Sequence, residues 1–189
     1  YLVLVGEGKV AAAQGDFEQA IALYEQLVAR LPEPGFVAAL GDFYQLAGDE
    51  TAAQQQYETV TAIADLESSD GALYGRQLAL FYANREANLT TALASAKAEL
   101  ATRPDVYGYD VLAWTLFKNG RLNEATTAIE QALALGTQEA LFYYHAGMIA
   151  AAQGNTEQAR DQLTYALELN PNFDLVQAQI ARQTLVILD

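Results

Sequence analysis

The feature that most constrains this chain is a short block that recurs five times. Gly15-Asp16-Phe17-Glu18-Gln19-Ala20 aligns with Gly48-Asp49-Glu50-Thr51-Ala52-Ala53 and with Ala87-Asn88-Leu89-Thr90-Thr91-Ala92. The fourth and fifth copies are Gly120-Arg121-Leu122-Asn123-Glu124-Ala125 and Gly154-Asn155-Thr156-Glu157-Gln158-Ala159. Their first residues lie 33, 39, 33 and 34 positions apart. A period of this size marks an array of small units, each unable to bury its own apolar face, so that neighbours must stack. Every block is flanked by alanine-rich stretches of helical periodicity, and Pro32, Pro104 and Pro171 close three of the copies. The unit is therefore helix, turn, helix.

Small residues recur where two helices of a unit must touch: Gly8 with Ala20, Gly41 with Ala53, Ala79 with Ala92, Ala113 with Ala125, Gly147 with Ala159. A larger side chain there would push the axes beyond the usual spacing of about 8–10 Å. That explains why 36 of the 189 residues are alanine. Tyr24, Tyr57, Ile129 and Leu163 follow one turn later and are expected to fill the space toward the next unit, with Ala96 as the exception in the third copy. Asp16, Asp49, Asn88 and Asn155 are expected to cap the second helices, with Gln19 and Gln158 placed as in a capping box. Arg121 breaks this rule, and Asn123 is the expected substitute. The 39-residue spacing predicts about five extra residues around Ser68-Ser69-Asp70-Gly71, and one further residue near Glu86.

Helix–turn–helix at a period near 34 residues resembles the tetratricopeptide repeat, over almost the whole chain. The stretch from Leu73 to Asp174 is also similar to a bacterial group of such proteins with no assigned reaction. That similarity rests on Tyr74-Gly75-Arg76-Gln77-Leu78-Ala79-Leu80-Phe81-Tyr82, Arg103-Pro104-Asp105-Val106-Tyr107-Gly108-Tyr109-Asp110 and Tyr144-His145-Ala146-Gly147-Met148-Ile149. The resemblance implies an all-α solenoid, a right-handed superhelix of about five repeats forming a single domain. The expected repeats are 1–34, 35–68, 72–105, 106–139 and 140–172, with a C-terminal capping helix over 173–189 carrying Phe173, Val176, Ile180 and Ile187 at helical spacing.

It further implies a concave groove lined by first helices. Carried over position by position, groove residues are Lys9, Asp42 and Gln45 in the first two repeats, and Arg76, Leu80 and Asn84 in the third. The fourth supplies Tyr107, Asp110, Trp114, Phe117 and Lys118; the fifth supplies Leu141, Tyr144, Met148 and, one position off, His145. The single Trp, His and Met thus converge on repeats four and five. The candidate binding set is Arg76, Asn84, Tyr107, Asp110, Trp114, Lys118, Tyr144, His145 and Met148. Aromatic residues at helical spacing are as often core as site, so a packed cluster is the competing reading. The chaperone-tail clamp of the family is a poor match, since the comparable positions hold Val5, Lys9, Asp42 and Arg76.

Composition narrows the chemistry. Acids outnumber bases 24 to 10, a net charge of −14, which disfavours nucleic acid and favours a basic or neutral protein or peptide ligand. No cysteine is present and His145 is the one histidine, so a zinc or other metal site lacks ligands and no metal or cofactor is expected. Asp110 and His145, one repeat apart, can hydrogen-bond. The serines are only Ser68, Ser69 and Ser95, none placed to act as a nucleophile beside them. Gly6-Glu7-Gly8-Lys9 lacks phosphate-loop spacing. The expected function is a non-catalytic protein- or peptide-binding scaffold using the groove of repeats three to five. Alternatives are a small apolar ligand between Trp114, Tyr144 and Met148, or self-association through the apolar ends Leu2 to Val5 and Leu185 to Leu188. No apolar run is long enough to span a bilayer. Absent cysteine and a first residue other than Met lean toward export over the cytoplasm.

Overall fold

The computed structural model describes residues 1–67 and 74–188; the expected loop at Ser68 to Gly71, and the residues Leu73 and Asp189, lie outside them. Among the described residues there are eleven α-helices and no strand. In order they are α1 (Leu2–Ala13), α2 (Phe17–Arg30), α3 (Pro34–Ala47), α4 (Glu50–Glu67), α5 (Gly75–Asn84), α6 (Leu89–Thr102), α7 (Val106–Lys118), α8 (Leu122–Leu133), α9 (Ala140–Ala152), α10 (Thr156–Leu169) and α11 (Leu175–Leu188). The chain divides into two compact units, Tyr1–Phe81 and Tyr82–Asp189.

In the first unit α1 packs on α2, α2 on α3, and α3 on α4. The small residues of the sequence pattern are buried here, with Ala20 and Ala53 at 0–1% exposure. What Gly8 accommodates, however, is not Ala20 but the Tyr24 ring, which a Cβ on Gly8 would meet at 2.6 Å. Gly41 likewise lies under the ring of Tyr57. The bulky residue therefore packs within its own hairpin. Tyr24 also reaches the next one, edge-on to Phe43 at 4.8 Å and to Phe36 at 6.5 Å.

In the second unit α7 and α8 form one hairpin, α9 and α10 the next, and α11 lies on α10 and α9. Ala113, Leu116, Ala125, Ala128, Ile129, Phe142, Ala146 and Ile149 form its core cluster. Gly147 repeats the close approach, since a Cβ there would sit 2.6 Å from Leu163 Cγ and 3.1 Å from the Leu163 backbone nitrogen. The glycine costs about 1 kcal/mol of helix propensity, and the burial of Leu163 offsets it.

Capping follows the sequence expectation in part. Asp16 accepts from Gln19 N at 3.0 Å and Asp49 from Ala52 N at 2.9 Å. Asn88 does not cap, because its own backbone is left-handed at φ 46° and its side chain accepts nothing from the first turn. Asn155 makes no side-chain cap either; its amide donates back to Gln153 Oε1 at 3.4 Å. Asn123 falls inside α8, which starts at Leu122. Asp105, not foreseen as a cap, accepts from Gly108 N at 2.8 Å to open α7.

The third turn explains the failure at Asn88. Gly15, Gly48, Gly120 and Gly154 all take φ between 73° and 87°, the left-handed conformation that ends the first helix. The third copy has no glycine there, and Glu86 adopts φ 52° instead, with Ala87 N bonding Tyr82 O as Asp16 N bonds Ala11 O. The extra residue expected near Glu86 is thus present, and it forces a second left-handed residue at Asn88. A side chain costs roughly 1 kcal/mol in that conformation. Glu86→Gly is expected to raise stability by about 1 kcal/mol, less the small contribution of its exposed ion pair, in a chemical-denaturation curve. A midpoint unchanged or lowered would show that the turn is not strained.

Candidate functional site

Seven of the nine sequence-predicted residues lie on α7 and α9, whose inner faces meet in the second unit. Helical spacing alone puts Tyr107, Asp110, Trp114 and Lys118 on one side of α7. Trp114 is 2% exposed and its indole stacks on the His145 ring, centroids 4.1 Å apart and planes 16° from parallel. Tyr144 and Phe117 close around it at 5.5 and 5.1 Å. Met148 is turned to Thr184, whose hydroxyl lies 3.6 Å from its sulfur. Phe173 covers Tyr144 from the C-terminal side at 5.4 Å. Burial, with the Asp174 carboxylate nearby, drives the Tyr144 hydroxyl well above its ordinary range.

The expected Asp110–His145 hydrogen bond is present, Oδ1 to Nδ1 at 2.8 Å, with both side chains buried. An ionised carboxylate only accepts, so Nδ1 is the nitrogen that donates. His145 Nε2 is buried with no hydrogen-bond partner among the described residues. Four candidates, Asp110, Trp114, Tyr144 and His145, therefore lie beneath the surface.

What reaches solvent is a polar cover. Trp114 Nε1 donates to Asn84 Oδ1 at 2.7 Å. Lys118 Nζ stands 4.9 Å from the centre of the Trp114 ring and donates to Glu86 Oε1 at 2.8 Å. That hydrogen bond, with the ammonium charge, holds the Glu86 carboxyl below the usual carboxylate range. At the other end of α7, Tyr107 is 47% exposed and its ring rests edge-on against Phe142 at 5.2 Å. Glu86 was missed as a site residue because its place in the site comes from the inserted turn and not from a first helix. Arg76, on α5, is half-buried and belongs to the first unit. That unit holds a shallow groove of about 530 Å³ between α1 and the start of α2, lined by Val3, Gly6, Glu7, Val10, Ala11, Gln14 and Gln19. Among the described residues no three His, Asp or Glu side chains cluster as a metal site would need, and no helix is long and apolar enough to cross a membrane.

Comparison with known proteins agrees with this architecture. A tetratricopeptide repeat protein from Parabacteroides merdae ATCC 43184 is 19% identical, with a TM-score of 0.65 over 98% of this chain and 70% of its own. TTC0263, a thermophilic tetratricopeptide repeat protein of Thermus thermophilus, is 20% identical, with a TM-score of 0.59 over 95% of each chain. The Cut9–Hcn1 hetero-tetramer of the APC/C contains a similar chain, 19% identical, with a TM-score of 0.53 over 97% of this chain but 35% of that one. No curated protein matches. At these identities the likeness establishes the fold. The sequence profile of the tetratricopeptide repeat matches residues 5–67 and 111–173, and the chain belongs to that family.

Proposed function

We propose that this chain is a non-catalytic scaffold that binds an extended peptide or protein segment between Tyr107 and Lys118 at the two ends of α7, over the buried Asp110 and Trp114. Tetratricopeptide repeats are typical protein-interaction scaffolds, and one observation supports the location proposed. Tyr107 and Lys118 sit eleven residues apart on the same side of one helix, about 16 Å at 1.5 Å per residue. An extended segment of about five residues spans that distance. Tyr107 offers a rigid, half-exposed ring at one end, and Asn84, Glu86 and Lys118 offer polar partners at the other. An aromatic anchor beside convergent polar groups is the usual anatomy of a binding hot spot. The buried Trp114 ring lies beneath Lys118 and Asn84 at one end, and Phe142 lies beneath Tyr107 at the other. Glu86 and the net charge of −14 favour a neutral or basic segment over an acidic one.

Complete burial of His145 supports a non-catalytic reading, since a base without access to substrate has no proton to take. Export, toward which the composition leans, is a proposal of the same kind, tested by fractionating cells that express the full reading frame.

The functional test is to select peptides from a displayed random library on the 189-residue chain and titrate the best by calorimetry. Tyr107→Ala is expected to weaken binding at least about tenfold with melting temperature little changed, and the triple variant Asn84→Ala, Tyr107→Ala, Lys118→Ala to abolish it while remaining folded, at a cost of about 1–2 kcal/mol for the lost Trp114–Asn84 bond. Equal affinity for the triple variant would remove the site from this face.

A further inference from the structure

The third turn leaves one side chain without a use in the fold. At the same place in the first two repeats, Asp16 and Asp49 turn their carboxylates back to cap the second helix. Asn88 does not. With its backbone at φ 46° and ψ 36°, its amide makes no bond to the first turn of α6 and stands exposed at the tip of the turn. Leu89 follows half-buried, and its carbonyl accepts from Asn119 Nδ2 at 3.0 Å, which pins the chain just behind the asparagine. Thr90 is exposed again. Thr102 and Thr126, farther along their helices, each donate to the carbonyl four residues back. Thr90 is the second residue of α6 and has no helical turn behind it, so its hydroxyl is left to solvent.

Exposure alone gives an asparagine no role; its neighbours in sequence do. Asn88-Leu89-Thr90 is the one place in the chain where asparagine is followed, after a residue other than proline, by threonine or serine. That spacing is the acceptor signal for attaching a sugar to an asparagine amide. Three residues match too easily by themselves, because seven asparagines and 16 hydroxyl residues give roughly an even chance of one. Glu86 makes the match more exacting. An acid two residues ahead lets a basic group of the transferring enzyme hold the acceptor by charge. The full pattern, Glu86-Ala87-Asn88-Leu89-Thr90, arises by chance in roughly one chain in thirteen of this composition. All of it but Leu89 is exposed.

We propose that Asn88 is an N-glycosylation site, with a lipid-pyrophosphate-linked oligosaccharide as the donor. Asn88 Nδ2 bonds to the anomeric carbon of the first sugar as the bond from that carbon to the pyrophosphate oxygen breaks. One Nδ2 proton passes to a base of the transferring enzyme, and the lipid pyrophosphate departs with the bonding electrons. The fold loses no contact in this step, since the amide caps nothing and the sugar grows outward from the tip of the turn. The proposal rests on the export proposed above, because such donors serve chains that have crossed a membrane.

The test expresses the full reading frame in the cells that encode it, separates exported from cytoplasmic material and digests the purified chain with trypsin. Cleavage after Arg85 and Lys97 isolates residues 86–97, which hold the whole pattern. Tandem mass spectrometry of the exported chain is expected to find this peptide heavier by one or more sugar residues, carried on Asn88. Thr90→Ser should keep the sugar, whereas Asn88→Gln and Thr90→Ala should carry none. Thr90→Ala leaves both the asparagine and the turn in place, so its loss of sugar reports recognition and not folding. Glu86→Gln should cut occupancy severalfold. A bare 86–97 peptide from exported chain would overturn the site and leave export standing; a chain confined to the cytoplasm would overturn both. Sugar retained in Thr90→Ala would also overturn the site, since the threonine would then have no part in its recognition.

Discussion

Trp114→Ala is expected to cost about 3–5 kcal/mol, a large fraction of the stability that a unit of this size possesses. The ring is enclosed by His145, Tyr144 and Phe117, and its nitrogen is engaged by Asn84. Truncation leaves a cavity that these neighbours cannot close, because each is fixed on a helix packed elsewhere. It also strips Lys118 of the ring beneath it. At roughly 4–8 °C per kcal/mol, the melting temperature should fall on the order of 15 °C or more. Trp114→Phe keeps an aromatic plane against His145 and loses the bond to Asn84, so its cost should be about 1–2 kcal/mol. If instead Trp114→Ala melts within a degree or two of the parent, the ring is not the keystone of this cluster.

This expectation reverses the emphasis that the sequence suggests for Trp114. Helical register assigns Tyr107, Asp110, Trp114 and Lys118 to one side of a helix, and it is right about that. Register says nothing about depth. A residue on a groove-facing side is exposed only if its neighbours are short, and here the side chains at Phe117, Lys118, Tyr144 and His145 are long enough to roof Trp114 over. Depth is set by pairs of residues roughly 30 positions apart, such as Trp114 with Asn84, and a period cannot show which of them meet. The hairpins, the buried alanines and the terminal helix were legible because each depends on local pattern alone. Caps were half legible for the same reason. Asp16 and Asp49 follow a left-handed glycine, which sets the backbone for capping, whereas Asn88 follows an insertion and is itself left-handed. The glycine contacts were misassigned by one turn. A helical side chain leans toward the N-terminus of its helix, so Tyr24 covers Gly8 although Ala20 is the more obvious small partner.

The buried Asp110–His145 pair separates a structural role from a chemical one. Asp110→Ala is expected to destabilise by about 3 kcal/mol, because it leaves His145 with neither ring nitrogen bonded inside a site closed to water. Asp110→Asn keeps an acceptor at the same atom and should recover much of that loss. Replacing both partners by apolar groups of similar shape, Asp110→Leu with His145→Phe, should cost far less than Asp110→Ala alone, since the desolvation of two polar groups disappears with the bond between them. Phenylalanine at 145 also keeps a ring stacked on Trp114. That single tryptophan reports the outcome directly: its emission should shift to longer wavelength in Asp110→Ala and stay near the parent value in the double variant. Peptide binding along Tyr107 and Lys118 should follow the same order, lost where the stack loosens and kept where it does not. A double variant that is well folded yet binds nothing would mean that the pair touches the ligand after all.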